Sequence, residues 1–531
     1  MAEKFHRATF TRNFLKTITR IKNPDEMLAE AKSGGLEKTL GVWDLIILGV
    51  GAIIGSGIFA VVGIAAAGSA DGSSLGAGPG LIVSMVIAAI ACIFSALCYS
   101  EFATMIPVAG GAYTYTFATL GEFAAWMVGW VLMLEYAIGF IAVACAWSNH
   151  FVQFMSGFEK VVPVWLSHPP VWLVNDTFSA AKIVADNPDT VIPTLFGIPI
   201  CINLPAILIV LLMTLILARG TKDSTKMAGL MVFIKLAVIA LFVIAGAFFV
   251  RPENWTPFAP NGAEGIFAGA FLIFFAYIGF DALATAAEEC KNPQKDLPIG
   301  IIGSLIITTI VYVAVALVLT GLQNTSLPVP IEFLKAPMAY CMSLHKMDWA
   351  AGLISIGSLA GLTSVLLVLE MAATRILYAM SRDHFISQRF LILHPKFKTP
   401  VKLTWTVGLL AVVGILTLNL DVAAELCNYG TFTSFIIVCV AILILRKTDP
   451  DRPRPFRVPF SPVTPSLGIL CCGGLMIYKS LQQSSSALLF PVWLGFGAII
   501  YLLYGFVKNR LNENKLHKEA VELKKQEMKK Q

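Results

Sequence analysis

Long apolar runs separated by short polar interruptions dominate this chain. A helix needs about 20 apolar residues to cross a bilayer core, and twelve runs of roughly that length can be counted. They lie near 43–67, 79–105, 123–150, 193–218, 227–250, 265–289, 298–322, 350–380, 401–420, 422–446, 465–482 and 488–508, and are numbered here as segments 1 to 12. Segment 8 is long enough to run past a membrane, and the boundary between segments 9 and 10 is soft. Lipid offers no hydrogen-bond partner, so only helices or closed barrels span it. The pattern predicts an all-α polytopic membrane protein of about 12 transmembrane helices.

The polar positions orient these segments. Short loops on the cytoplasmic side carry an excess of Lys and Arg. The N-terminal tail holds Arg7, Arg12, Lys16, Arg20, Lys22, Lys32 and Lys38, and the loops after segments 4, 6, 8 and 10 are basic. The tail after Lys508 is rich in lysine, whereas the opposite side has only isolated charges such as Arg251 and Lys335. Both ends are therefore expected in the cytoplasm. The loop 106–122 is an exception, because it has no basic residue on that side. The first forty residues are basic and polar, so no cleavable signal peptide is expected. The loop 151–192, with Trp165, Trp172 and several prolines, predicts structure lying at the interface.

Composition acts by exclusion. Hydrophobic residues are 57% and charged residues 14% of 531, against about 25% charged in soluble domains. The net charge of +6 sits in tails and loops, so it reads as topology and no nucleic-acid partner is expected. The ten cysteines show no metal or redox spacing. No His-Glu-x-x-His, Gly-x-Ser-x-Gly or Gly-x-x-x-x-Gly-Lys-[Ser/Thr] motif appears, which argues against an embedded enzyme or a nucleotide-driven pump. No segment has the regular polar stripe of a channel lining. No cofactor is expected, and a proton is the expected coupling ion.

Two segments are interrupted at corresponding places. Segment 1 reads Gly51-Ala-Ile-Ile-Gly-Ser-Gly-Ile-Phe59, and segment 6 reads Phe274-Phe-Ala-Tyr-Ile-Gly-Phe-Asp281. Glycine costs a helix about 1 kcal/mol relative to alanine. Unwound backbone at membrane depth survives only when buried in protein or lining a cavity. Gly51 and Gly55 also make a Gly-x-x-x-Gly helix-packing face, so either interruption alone reads two ways. Paired interruptions in two halves of opposite topology point to a transporter site at the midplane. The expected division is a tail 1–40, a first repeat 41–250, a second repeat 251–447, two further helices within 448–508, and a charged tail 509–531.

With these motifs in place, segment 1 resembles the signature of the amino acid–polyamine–organocation superfamily. Phe-Ala-Tyr-Ile-Gly-Phe-Asp281, Ala287-Glu-Glu-Cys-Lys-Asn-Pro293, Tyr99-Ser-Glu-Phe102 and Tyr378-Ala-Met-Ser-Arg-Asp383 resemble its cationic amino acid transporter branch. The resemblance covers roughly residues 36–508, and the chain lacks the extra C-terminal segments of eukaryotic members, so it is similar to the shorter bacterial ones. It implies a LeuT-type five-plus-five inverted repeat and a plasma-membrane (bacterial inner-membrane) permease for L-amino acids. Apart from the resemblance, the chain is expected to act as a monomer.

The break in segment 1 creates two facing helix ends. The N-terminus of the outer half, at Gly55, Ser56, Gly57 and Ile58, would offer amides to a carboxylate. Carbonyls near Ala52 and Ile53, and near Phe275, Ala276 and Ile278 in segment 6, would suit an ammonium. The resemblance implies the same division, with Phe280 as an aromatic gate. Lys235 lies about 13 Å into segment 5 at 1.5 Å per residue. A lysine there can snorkel, but intramembrane charge is a functional hypothesis by default. The resemblance implies an ammonium standing where related transporters bind sodium, which predicts sodium independence and proton symport. Glu135 in segment 3 reads either as a coupling or cation-contacting acid, or as a hydrogen bond to a neighbouring helix. Asp281 is expected to cap the inner half of segment 6. Glu101, Glu288 and Glu289 are expected in gate or loop ion pairs, and Glu370 with Arg375 in a structural pair. A pocket bordered by Leu366 would favour a small or apolar neutral amino acid. Exchange, and carriage of cationic amino acids or polyamines, remain alternatives.

Overall fold

The computed structural model describes residues 18–33, 38–55, 57–69, 74–158, 162–175, 192–195, 198–199, 201–417, 420–481 and 486–503. Among the described residues helix accounts for nearly all of the regular structure, and a two-stranded antiparallel sheet pairs Thr194–Leu195 with Ile198–Pro199 as a hairpin. Among the described residues, eight helices are long and apolar enough to cross a membrane by length and composition. Val42–Ile53, Leu204–Arg219 and Val401–Leu416 are shorter apolar helices, and Val463–Leu481 is a further helix in segment 11.

These helices differ in what surrounds them. The most apolar window of Glu122–Ser156 is 78% buried in protein, whereas that of Ser486–Leu503 is 22% buried. Segment 3 thus runs through the middle of the bundle and segment 12 along its rim. Large apolar side chains such as Phe233, Ile310, Leu410 and Leu470 point outward. An apolar exterior of this extent suits lipid rather than water.

Segment 4 begins later than the hydrophobic pattern predicts. Thr194–Leu195 and Ile198–Pro199 form the hairpin, and the helix starts only at Leu204. Asn203 caps it, its side-chain oxygen accepting the Ala206 amide at 3.3 Å and the Ser148 hydroxyl at 2.6 Å. Segment 8 is one uninterrupted helix, Asp348–Arg382, about 52 Å long at 1.5 Å per residue.

Segments 1 and 6 are both broken. Helix Val42–Ile53 ends at Ile54, whose backbone is extended (φ −76°, ψ 99°), and the chain resumes as a π-helical turn, Gly57–Val61, followed by Val62–Ala67. In segment 6, Gly262–Phe274 passes through a 3-10 turn, Phe275–Tyr277, to an extended Ile278 and then to Gly279 at φ +122°. That φ is strongly disfavoured for residues carrying a Cβ. The two breaks interlock. A Cβ on Gly57 would lie 2.4 Å from the Ala276 Cα, and one on Gly279 would lie 2.8 Å from the Ala52 Cβ. Each glycine admits the other segment's alanine.

One end of the bundle is closed by the N-terminal segment and the loops around it. The short helix Ala112–Phe117 in the loop 106–122 is wholly buried. The Lys22 amide donates to the Phe117 carbonyl at 3.1 Å, and its ammonium reaches Asp383 and Glu30 at 2.5 Å each. Arg20 pairs with Glu122 at 3.1 Å. The basic residues missing from this loop are thus supplied by the N-terminal segment. Leu40 bridges to Cys290 in parallel, which ties the start of segment 1 to the end of segment 6.

Candidate functional site

A cavity of about 20 Å³ lies where the two breaks meet, room for about one water. Ala52, Ile53, Gly55 and Gly57 line it from segment 1, and Phe275 and Ile278 from segment 6. The facing wall is side chain: Gly139 and Val143 one helical turn apart on segment 3, Val365 and Leu369 one turn apart on segment 8, and Cys427 on segment 10.

The backbone of the segment 1 break is partly engaged. The Ile54 amide donates to the Val50 carbonyl at 3.1 Å, and the Ile58 and Phe59 amides donate to the Gly55 carbonyl at 3.2 and 3.3 Å. The Gly55 and Gly57 amides have no backbone acceptor among the described residues. Ser56 lies outside the described residues. Ile58 is buried and does not border the cavity.

Lys235 is buried in the bundle, and its stem does not reach either end of segment 5. Its ammonium donates to the Gly51 carbonyl at 2.9 Å, the Ile54 carbonyl at 2.5 Å and the Ser364 hydroxyl at 2.9 Å. Those are the three donors a lysine has. The cation therefore holds the frayed end of the inner half of segment 1 against segment 8. Gly361 gives the stem room, since a Cβ there would lie 2.8 Å from the Phe59 ring and 3.5 Å from the Lys235 Cδ.

Tyr312 makes a second tie. Its hydroxyl lies 2.9 Å from the Ile53 carbonyl and 2.8 Å from the Ala276 carbonyl, bridging the two breaks. Two carbonyls assigned to an ammonium by the sequence thus have a hydroxyl beside them. Tyr312 escaped the sequence reading, where the available signal was one phenol in the aliphatic run Ile310-Val-Tyr-Val313.

Glu135 sits in a π-helical turn, Leu134–Ile138, inside segment 3. Such turns recur at functional sites. The Ser434 hydroxyl donates to its Oε2 at 3.3 Å, while Oε1 is buried without a partner. The neighbouring Tyr136 hydroxyl donates to Asp281 Oδ2, and Asp281 Oδ1 is likewise buried and unpartnered. Asp281 precedes the helix Ala282–Thr285 but makes no side-chain cap bond. Behind the cavity the structure therefore groups two carboxyls, from segments 3 and 6, in one buried polar cluster.

Phe280 packs on Tyr99 and Phe435, with ring centroids 6.1 and 5.0 Å away, and does not border the cavity. Leu366 is also buried off the cavity, and its neighbours Val365 and Leu369 take the wall instead. Arg375 pairs with Glu289 at 2.5 Å, Arg382 with Glu288 at 2.9 Å, and Glu101 with Arg446 and, at 3.3 Å, Arg454. Glu370 is not paired with Arg375; it meets Thr214 at 2.7 Å. Among the described residues no cluster of His, Cys, Asp and Glu could hold a metal ion.

Residues 40–507 match the amino acid permease family model. Over 94% of its length the chain is 41% identical to the branched-chain amino acid permease BcaP of Bacillus subtilis, covering 99% of that protein. Over the same share it is 38% identical to the methylthioribose transporter of that organism, covering all of it. It is also 33% identical, over 84% of its length, to cationic amino acid transporter 9 of Arabidopsis thaliana, covering 74% of that protein. Interlocked broken segments around a small cavity, and a match running almost end to end, agree: the chain belongs to the amino acid permease family and is a multi-pass membrane transporter, not an enzyme.

Proposed function

We propose that this chain is a secondary active transporter that imports L-amino acids with apolar side chains by alternating access. The observation that carries this reading is the two-sided cavity. Among the described residues the Gly55 and Gly57 amides have no backbone acceptor, and across the cavity from these glycines lie Gly139, Val143, Val365, Leu369 and Cys427. A carboxylate would take the amides, in the manner of an anion at a helix N-terminus. An ammonium would take carbonyls of the two breaks, competing with Tyr312 at Ile53 and Ala276. An apolar side chain would fill the wall. The cavity must widen to admit even a small amino acid.

On this reading all twelve segments cross the membrane, with segments 1–5 and 6–10 as inverted repeats. Both ends lie in the cytoplasm of a bacterial inner membrane, following the Lys and Arg asymmetry. The Arg375–Glu289 and Arg382–Glu288 pairs lie on the cytoplasmic side and would break when the site opens inward. Lys235 holds the carbonyls a sodium ion would need, so transport is sodium-independent, and release of its proton would free the inner half of segment 1. Glu135 and Asp281 are the remaining candidates for carrying the coupled proton.

A second reading comes from the relative named as a methylthioribose transporter. The same wall suits a thioether, but among the described lining residues ribose hydroxyls would find no hydroxyl, amide or charged side chain. The apolar amino acid is therefore preferred, and a cationic one is disfavoured because Glu135 and Asp281 do not line it.

Proteoliposome uptake of labelled leucine, valine, lysine and methylthioribose, with and without an inward proton gradient, tests the proposal. Leucine and valine should accumulate when the gradient is imposed, without sodium. Uptake that ignores pH and requires internal amino acid would establish exchange instead. A sodium requirement would overturn the role given to Lys235.

A further inference from the structure

Outside the cavity, one buried acid has no part in the mechanism above. Glu370 lies in the helix Asp348–Arg382, twelve residues before its end, or about 18 Å along it. It is fully buried, its Oε1 is 2.7 Å from the Thr214 hydroxyl on segment 4, and its Oε2 has no partner. Segment 9 closes the site. Gly408 passes so near that a Cβ there would lie 2.2 Å from the Thr214 Oγ1.

Among the described residues no cation faces this carboxyl. On its own helix, Arg375 is held by Glu289. On segment 4 the charged residue is Arg219, exposed at the helix end, and on segment 9 it is Lys402, also exposed. On segment 5, Lys235 spends its three donors on Gly51, Ile54 and Ser364. On segment 3, Glu122 pairs with Arg20, His150 contacts the Ala146 carbonyl, and Glu135 faces Ser434. An isolated buried carboxylate is so costly that the group neutralises instead.

The hydrogen count points the same way. Thr214 has one hydroxyl proton, and its Oγ1 also lies 2.9 Å from the Val210 carbonyl. If that proton goes to Val210, the 2.7 Å contact needs a proton from the acid. If it goes to Glu370, one hydroxyl is left as the sole donor to a buried carboxylate.

We infer that Glu370 is a proton-binding site in the framework of the transporter, separate from the substrate cavity, and that its bound proton clamps segment 8 to Thr214 of segment 4. The ligand is a proton drawn from water. The clamp is made in the protonated state and lost when the carboxyl ionises, which loosens segments 4, 8 and 9 from one another.

Infrared difference spectroscopy on the purified protein reads this directly. Wild type minus Glu370→Gln should show the carbonyl band of a protonated carboxylic acid at neutral pH. The glutamine amide can donate to Thr214 as the acid does, so Glu370→Gln should melt at the wild-type temperature at neutral pH. Its melting temperature should also lack the alkaline decline that wild type shows. Thr214→Val, close in shape to threonine, should shift the band by removing its acceptor, which keeps the test open should Glu370→Gln fail to fold. A difference spectrum without the acid band, or a Thr214→Val protein with an unmoved band, would overturn the assignment.

Discussion

Substituting Gly57 by alanine strikes the point where the two broken segments touch. The new Cβ would lie 2.2 Å from the Ala276 Cβ, 2.4 Å from its Cα and 3.1 Å from its amide nitrogen. Carbon atoms at rest sit about 3.5–4.0 Å apart, so one segment must retreat by roughly 1 Å or more. Because Ala276 Cα and N are backbone, no rotamer change relieves the clash. Overpacking of this kind costs about 1–3 kcal/mol of stability. The retreat would also displace the Gly57 amide from the carboxylate it is proposed to hold, and a hydrogen bond to a charged group is worth about 1.5–3 kcal/mol. At 1.4 kcal/mol per tenfold, affinity for leucine should fall roughly 10- to 100-fold. Calorimetric titration of purified protein measures this, with thermal unfolding and size exclusion reporting that the variant is folded. Gly352→Ala is the control, since a Cβ there meets nothing within 4 Å, and it should bind as wild type. A folded Gly57→Ala protein with unchanged Kd would refute the assignment of the segment 1 amides to the carboxylate.

Lys235→Met should leave the Gly51 and Ile54 carbonyls without their ammonium and abolish proton-driven accumulation. Proton-driven uptake of this variant at the wild-type rate would remove Lys235 from the coupling mechanism. Tyr312→Phe should lower stability by about 1 kcal/mol, the typical worth of one neutral hydrogen bond, and lower KM for leucine more than it changes kcat, because the hydroxyl no longer competes with the substrate ammonium for the Ile53 and Ala276 carbonyls. An unchanged melting temperature and KM would mean that the bridge between the breaks is idle. Glu289→Gln leaves the Arg375 guanidinium buried without its counter-charge, which should cost about 3–5 kcal/mol. Chemical denaturation checks this, and a loss below 1 kcal/mol would show the pair to be water-accessible.

Much of this architecture is legible in the sequence because lipid imposes simple demands. Each of the twelve apolar segments contains helix among the described residues, segment 4 only from Leu204 onward, and both interruptions appear where glycines break an otherwise continuous run. Lys235 stands out because charge is rare at that depth, and the structure seats it on the segment 1 carbonyls. Contacts set by helix rotation were not legible. One residue turns a helix by about 100°, so a run of apolar residues in segment 8 does not reveal that Val365 and Leu369, rather than Leu366, meet the cavity. Phe280 follows the extended Ile278 and Gly279 at φ +122°, where no helical period gives its direction, and it packs behind the site. Arg375 sits five residues from Glu370 but finds Glu289 on another helix, because burial demands the better partner and sequence proximity does not supply it. The π-helical turn at Glu135 leaves no mark in hydrophobic periodicity. The hydrophobic pattern starts segment 4 too early because the apolar residues before Leu204 include a short strand pair, which hydropathy does not distinguish from helix.

The central claim is that the paired breaks recognise the zwitterionic head of an amino acid while the opposite wall accepts an apolar side chain. Competition binding on the purified transporter tests it most directly, using L-valine, isobutylamine and isovalerate against labelled L-leucine. Isobutylamine keeps the ammonium and side chain but lacks the carboxylate, and isovalerate lacks the ammonium. Valine should displace leucine, with both truncated analogues at least tenfold weaker, as expected if each loses a charged hydrogen bond of about 1.5–3 kcal/mol. Displacement by either analogue as strong as that by valine would contradict the account.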